Sequence, residues 1–226
     1  MTVLKKGFPT ASLRASANIR RNLKLIKLLI NKANVDGLDE TSFGGLPVKV
    51  KGEHFDWPSC ECCKGAMQFL GKISTDQGLQ QIFMCQNEPG LCEEWDPNDG
   101  GNKVIITQTD NLEEVSAPEG FETTRDTVYG ALIVDFDASD YDIAMEKWPE
   151  ENNVSPRQVL GQLMGEPSWL QGEEVPDCDS CKTPMRFVAQ LEQGPDWETE
   201  MNFGGGGCAY LFDCQCSKSA KFLFQC

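Results

Sequence analysis

Pro58-Ser59-Cys60-Glu61-Cys62-Cys63-Lys64 returns later in the chain as Pro176-Asp177-Cys178-Asp179-Ser180-Cys181-Lys182. Both stretches read Pro-x-Cys-x-x-Cys-Lys, and the likeness extends outward from them. Met67 and Phe69 follow the first, Met185 and Phe187 the second, at equal offsets. Gln81-Ile82-Phe83-Met84-Cys85-Gln86 then matches Tyr210-Leu211-Phe212-Asp213-Cys214-Gln215. Each copy adds another cysteine, Cys92 or Cys216, and closes on Lys103-Val104-Ile105-Ile106 or Lys221-Phe222-Leu223-Phe224. Agreement in order and residue type over this length reads as an internal duplication, with halves near 44–107 and 165–226 joined by an acidic segment, 108–164.

Within each half the apolar positions alternate rather than recur at helical spacing. Met67–Ile73 and Met185–Leu191 each present one face to a core, as half-buried strands do. Gly78 and the run Gly204–Gly207 precede the next strand, where turns belong. Ala131–Phe136 reads as a strand, and Pro156–Met164 as a short helix capped by Ser155. The predicted fold is α+β and β-rich, with duplicated antiparallel sheets forming two related lobes, each built around a four-cysteine cluster.

Zinc takes four thiolate or imidazole ligands in a tetrahedron, and a Cys-x-x-Cys turn supplies two of them from one tight knuckle. In the first half Cys60 and Cys63 form that knuckle, and Cys85 and Cys92 complete the set. In the second, Cys178 and Cys181 pair with Cys214 and Cys216. A Cys-x-Cys pair on a regular strand holds its sulfurs too far apart for one ion, so Cys214-Gln215-Cys216 must bend; Cys208 or Cys226 is the alternative fourth ligand. With all four ligands supplied by protein, both zincs would be structural.

Charge divides the chain. Of 226 residues, 20 are Lys or Arg and 35 Asp or Glu, for a net charge of −15. Residues 1–35 carry eight basic groups and no acid, so the body from 36 onward stands at −23. Such a body disfavours nucleic acid and favours a basic protein partner, although net charge bears first on solubility. The basic segment reads as a helical arm over 1–42. From Asn18 to Lys32, apolar residues at Ile19, Leu23, Ile26 and Ile30 are spaced for an amphipathic helix packed on the acidic body. An organelle transit peptide and a membrane-surface anchor compete with that reading. No apolar run is long enough for a transmembrane helix, and eleven cysteines without a secretory signal fit metal thiolates in the cytoplasm.

Phe43-Gly44-Gly45-Leu46-Pro47, Trp57-Pro58 and Met67-Gln68-Phe69-Leu70 together resemble the opening of the YwqG-like family, bacterial and some eukaryotic proteins of unassigned function. Gly165-Glu166-Pro167-Ser168-Trp169-Leu170-Gln171, Met185–Leu191 and Phe203–Phe212 resemble its later segments, so the likeness spans about residues 43–226. It implies a β-rich duplicated fold and no catalytic residues. Many members lack the eight cysteines, so zinc rests on this sequence alone. A more distant likeness is to programmed-cell-death-2 type ribosome-assembly factors, which look after a basic ribosomal protein.

Function read from the chain is therefore a zinc-stabilised interaction module, an acidic escort for a basic protein. The competing class is an enzyme acting on a small molecule between the lobes. Its candidates are His54, the one histidine, and Cys208 after four glycines, whose simpler reading is a hairpin loop. Asp135, Asp137, Asp140 and Asp142 lack calcium-loop spacing. Trp57 and Trp169 are candidates to line a groove or to pack in the core.

Overall fold

Strand alternation in the two cysteine-bearing segments becomes two three-stranded antiparallel meanders. The structure is a computed structural model, and it describes residues 23–119 and 122–226. The first meander is β4 (Gln68–Thr75), β5 (Gly78–Met84) and β6 (Asn102–Thr107); the second is β10 (Arg186–Leu191), β11 (Cys208–Cys214) and β12 (Ser219–Gln225). Both begin alike. Met67 N–H donates to the Pro58 carbonyl and Met185 N–H to that of Pro176, each at 2.9 Å. The ladder slips by one residue between Phe69 and Gly71 in the first and between Phe187 and Ala189 in the second.

The meanders do not form separate sheets. Four strands join them: β1 (Lys24–Lys32), β2 (Ser42–Phe43), β8 (Tyr129–Ala138) and β9 (Val159–Leu163). One antiparallel sheet results, ordered β12-β11-β10-β9-β1-β8-β2-β4-β5-β6, and it curls until the edge strands β6 and β12 lie side by side without a ladder between them. The nearly closed interior is filled from both flanks, by Leu70, Ile73, Ile82 and Val104 from one and by Val188, Leu191, Leu211 and Phe222 from the other. At Gly161 in β9, φ is +140° and a Cβ would stand 1.9 Å from the Gln190 carbonyl oxygen. Only glycine allows β9 to sit this close to β10. A small second sheet pairs β3 (Val48–Val50) with β7 (Leu112–Glu114).

The described part of the predicted N-terminal helix, Lys24–Lys32, is a strand. All nine residues of β1 pair with β8, from Lys24 opposite Ala138 to Lys32 opposite Gly130. Ile26, Leu28 and Ile30 face a satellite core under the helix α1 (Tyr141–Asn152), whereas Leu29 turns to the main interior. A stripe at Ile26 and Ile30 satisfies both periods. Two flanking strands with unpaired backbone decide for the extended form, since buried peptide groups must find partners. The charge complementarity expected of the arm is realised by the strand: Lys24 pairs with Glu166 at 2.6 Å and Lys27 with Asp135 at 3.0 Å. Residues 18–22 of that prediction lie outside the described residues.

Two further segments differ from their sequence reading. Ser155 does cap a turn, its Oγ accepting from Arg157 N–H at 3.3 Å, but the helix stops after Pro156–Gln158 and β9 begins. The true helix is α1, whose N-cap is Asp140, accepting from Ile143 N–H at 2.9 Å. The acidic group Asp135 to Asp142 is thus accounted for by a β8 ion pair and a helix cap rather than a cation loop. Among the described residues no helix is long and apolar enough to cross a membrane.

Candidate metal centre

Each Pro-x-Cys-x-x-Cys-Lys stretch folds into a tight loop closed by an isolated bridge, Ser59 with Ala66 and Asp177 with Pro184. Lys64 N–H donates to the Cys60 carbonyl at 3.0 Å and Lys182 N–H to that of Cys178 at 2.9 Å. Both lysines turn the chain in the left-handed region, φ 63° and 56°. That turn brings the two sulfurs of each knuckle to one side.

In the first region the knuckle meets Cys85, just past β5, and Cys92, from the loop leading to β6. Cys85 N–H donates to the Gly101 carbonyl at 2.8 Å. A Cβ at Gly101 would lie 2.3 Å from the Cys92 carbonyl oxygen, so glycine lets the Cys92 loop fold back onto the site. The sulfurs of Cys60, Cys63, Cys85 and Cys92 all lie within 4.8 Å of one another, with Cys63 and Cys85 at 3.7 Å. Four thiolates about 2.3 Å from one zinc sit about 3.8 Å apart. Cys60, Cys85 and Cys92 are buried beside Met67, Phe69 and Phe83. Asn87, which sequence reasoning missed, donates its side-chain N–H to Cys85 Sγ at 3.4 Å and to the Ala66 carbonyl at 3.1 Å.

In the second region Cys178, Cys181 and Cys214 gather within 4.8 Å. Cys216 lies outside that mutual set, although its sulfur is 3.1 Å from that of Cys214. The predicted bend is there: β11 ends at Cys214, and Cys216 stands in the turn before β12. Cys178 instead has Ser217 Oγ at 3.1 Å, a neighbour with no counterpart in the first region's cysteine pattern. Cys181 and Cys216 are exposed. Neither proposed substitute reaches the site. Cys208 is buried at the far end of β11, hydrogen-bonded to Tyr210 Oη at 3.1 Å, and Cys226 lies against the Gly204 turn.

The thiols divide their protons unequally. In the first region burial drives the Cys92 thiol far above its ordinary range and raises Cys85. Burial also works against ionising Cys63, but the Gly65 N–H and the neighbouring thiols outweigh it and lower its pKa. In the second, hydrogen bonds from Ser217 and from the Cys181 backbone pull Cys178 down to about 5, while Cys214 and Cys181 push Cys216 up to about 12. Four thiolates at this spacing repel one another, and a divalent cation among them is what removes the conflict. Both groups of cysteines can therefore hold a metal ion.

A groove of about 880 Å³ runs between the two knuckles, floored by β6 and the start of β12. His54 and Trp57 line it. Lys221 bridges it, donating to Asp179 at 2.9 Å and to Asn98 at 2.6 Å. Cys208 takes no part in it. His54 Nε2 is 2.7 Å from Asp56, so the structure does not assemble the histidine–cysteine pair considered from sequence. Trp169 packs on Tyr210, with ring centroids 4.5 Å apart, as part of the second region's core. No known protein family matches this chain, and no curated protein is similar to it.

Proposed function

We propose that both cysteine groups bind structural zinc and that the protein is a zinc-stabilised interaction module, an acidic escort for a basic partner. The observation that carries the metal is the set Cys60, Cys63, Cys85 and Cys92, buried and mutually within 4.8 Å. All-sulfur tetrahedral donors favour zinc over oxygen-seeking cations. In the second region Cys216 completes the tetrahedron by a rotation of its exposed side chain. Zinc then fastens each knuckle to its own meander and holds both ends of the groove. The net charge of −23 beyond residue 35 supports a basic partner. Eleven free thiols suit a reducing cytoplasm.

Matching bulges, knuckle hydrogen bonds and left-handed lysines support one duplicated ancestral unit. The order of the Phe43–Pro47, Trp57-Pro58, Gly165–Gln171 and Phe203–Phe212 motifs supports membership of the YwqG-like family. The deciding measurement is elemental analysis of the full chain purified without chelator, paired with capture of purified basic proteins at low and high salt. Two zinc ions per chain and salt-sensitive binding are expected. Less than one zinc per chain overturns the metal assignment, and indifference to salt overturns the escort.

A further inference from the structure

An antiparallel ladder fixes which backbone groups point away from it. From Gly130 to Ala138 all of β8 pairs with β1, but on its other edge β2 pairs only with Tyr129 and Gly130. Ala131 N–H donates to the Thr41 carbonyl at 3.2 Å, so Ala131 turns its peptide groups away from β1. By alternation along the unbroken register, Ile133, Asp135 and Asp137 do the same. Among the described residues no ladder or loop bond reaches the N–H and C=O groups of these three. About 17 Å of strand edge, from Ile133 to Asp137, is therefore open in the middle of the sheet order.

The side chains beside this edge are unfinished as well. Leu132 is 50% and Ile133 56% exposed, on opposite faces of β8. Val134 and Phe136 are only partly buried at the flank of the satellite core beneath α1, and Trp148 of α1 shares that state. Charge here is one-sided. From Tyr129 to Asn152, through β8 and α1, seven carboxylates stand against Lys147 alone. Lys24 and Lys27 of the neighbouring β1 are already taken by Glu166 and Asp135. Asp137, on the edge itself, has no basic partner among the described residues.

We propose that the free edge of β8 receives an extended segment of a basic protein as an added strand. This rests on the escort reading and names where the escort holds its partner. Exposed strand edges take peptides through main-chain hydrogen bonds, with side-chain contacts setting preference. Apolar side chains on one face of the added strand cover Leu132, Val134 and Phe136, which share a face of β8. Lysine or arginine on its other face meets Asp135 and Asp137, since side chains opposite one another across a ladder interact. A second copy of this chain is the poorer occupant. Docked antiparallel over the same five residues, it sets Asp135 opposite its own copy, and like charges directly opposite are destabilising.

The test selects random peptides of about eight residues, a usual strand length, on the full-length protein as purified, and then follows amide hydrogen exchange with the winners bound. The expected result is enrichment of peptides that alternate lysine or arginine with apolar residues and that slow exchange at Ile133, Asp135 and Asp137. Ile133→Pro removes an outward N–H that no ladder uses, and proline is tolerated on such an edge. It should lower affinity about tenfold, the worth of one backbone hydrogen bond. Asp137→Lys should weaken the basic winners as well, by a factor that shrinks at high salt. Metal content should stay unchanged in both variants, which separates these outcomes from a failure of the zinc reading.

If the proline disturbs folding, Asp137→Lys and peptides N-methylated at alternate amides test the same seat, and both should bind weakly. Protection at another strand, winners without basic residues, or no winners at all would overturn the proposal. Slow exchange at the three amides in the free protein would mean an edge already covered and would overturn it too. A doubled mass would then name a second copy, and competition by a peptide of residues 1–22 this chain's own basic segment. Equal capture of basic proteins by the parent and by Asp137→Lys would overturn the seat and leave the escort standing. An absence of salt-sensitive capture by the parent would overturn both.

Discussion

The two cysteine regions share a knuckle but differ in what stands behind it. In the first, three of four sulfurs are buried among Met67, Phe69 and Phe83, and the fourth segment is a long loop folded back across Gly101. In the second, Cys181 and Cys216 are exposed, and Cys216 comes from a tight turn. The residue preceding the strand-end cysteine also changes, from Met84 to Asp213. Asp213 is fully buried and takes two hydrogen bonds from Arg186, at 2.9 and 2.8 Å, and one from Gln80 across the interior at 3.0 Å. The first region is thus held by apolar packing around its four gathered cysteines. The second has an ion pair as another anchor, and less depends on its sulfurs.

The sharpest way to break this comparison is paired serine substitution. Cys63→Ser removes a ligand from the buried set, and structural zinc contributes folding free energy directly. A loss of several kcal/mol and of one zinc per chain is expected, with a clearly smaller shift for Cys181→Ser. Equal shifts in melting temperature would mean that the regions are equivalent. Next in size is Arg186→Met, which strands the buried Asp213 carboxylate and should cost about 3 kcal/mol in chemical denaturation. Replacing Asp213 and Arg186 together by apolar residues should recover much of that. If the single change is neutral, the ion pair is no anchor.

A subtler difference is kinetic. Under a chromogenic chelator the exposed second site should release zinc first, at least about tenfold faster than the first, given how strongly burial limits access to thiolates. A single release phase for both ions would erase the distinction. The smallest effect is in acid. Arg186 also binds Asp76, at 2.8 Å, and holds that carboxyl below its ordinary range. A lowered folded pKa means that the unfolded state binds the proton first. Its stabilisation is therefore complete above about pH 4 and drains away as pH falls through the folded value. Asp76→Asn should lower the melting temperature slightly at neutral pH, and the difference from the parent protein should vanish as pH falls from about 4 to 2.

Local spacing carried the metal site. Cys60 and Cys63, like Cys178 and Cys181, are close in the chain and their turn geometry depends on a few intervening residues, so the knuckles were legible. The strand-end partners were legible because the duplication set the two copies side by side. Asn87 and Ser217 were not, because a side chain that donates to sulfur leaves no periodic trace. Lys24–Lys32 was misread because Ile26 and Ile30 serve a helix and a strand equally, and nothing nearby says that two strands await a partner.

The sequence by itself determined where the knuckles turn and that their flanking segments run extended; each depends on residues a few positions apart. Only the tertiary structure decided that the two meanders share one curled sheet, that β1 lies at its middle, and that Asp213 meets Arg186 and Gln80. Those outcomes turn on which backbone edges and buried charges find partners across long stretches of chain, a competition that no local pattern records.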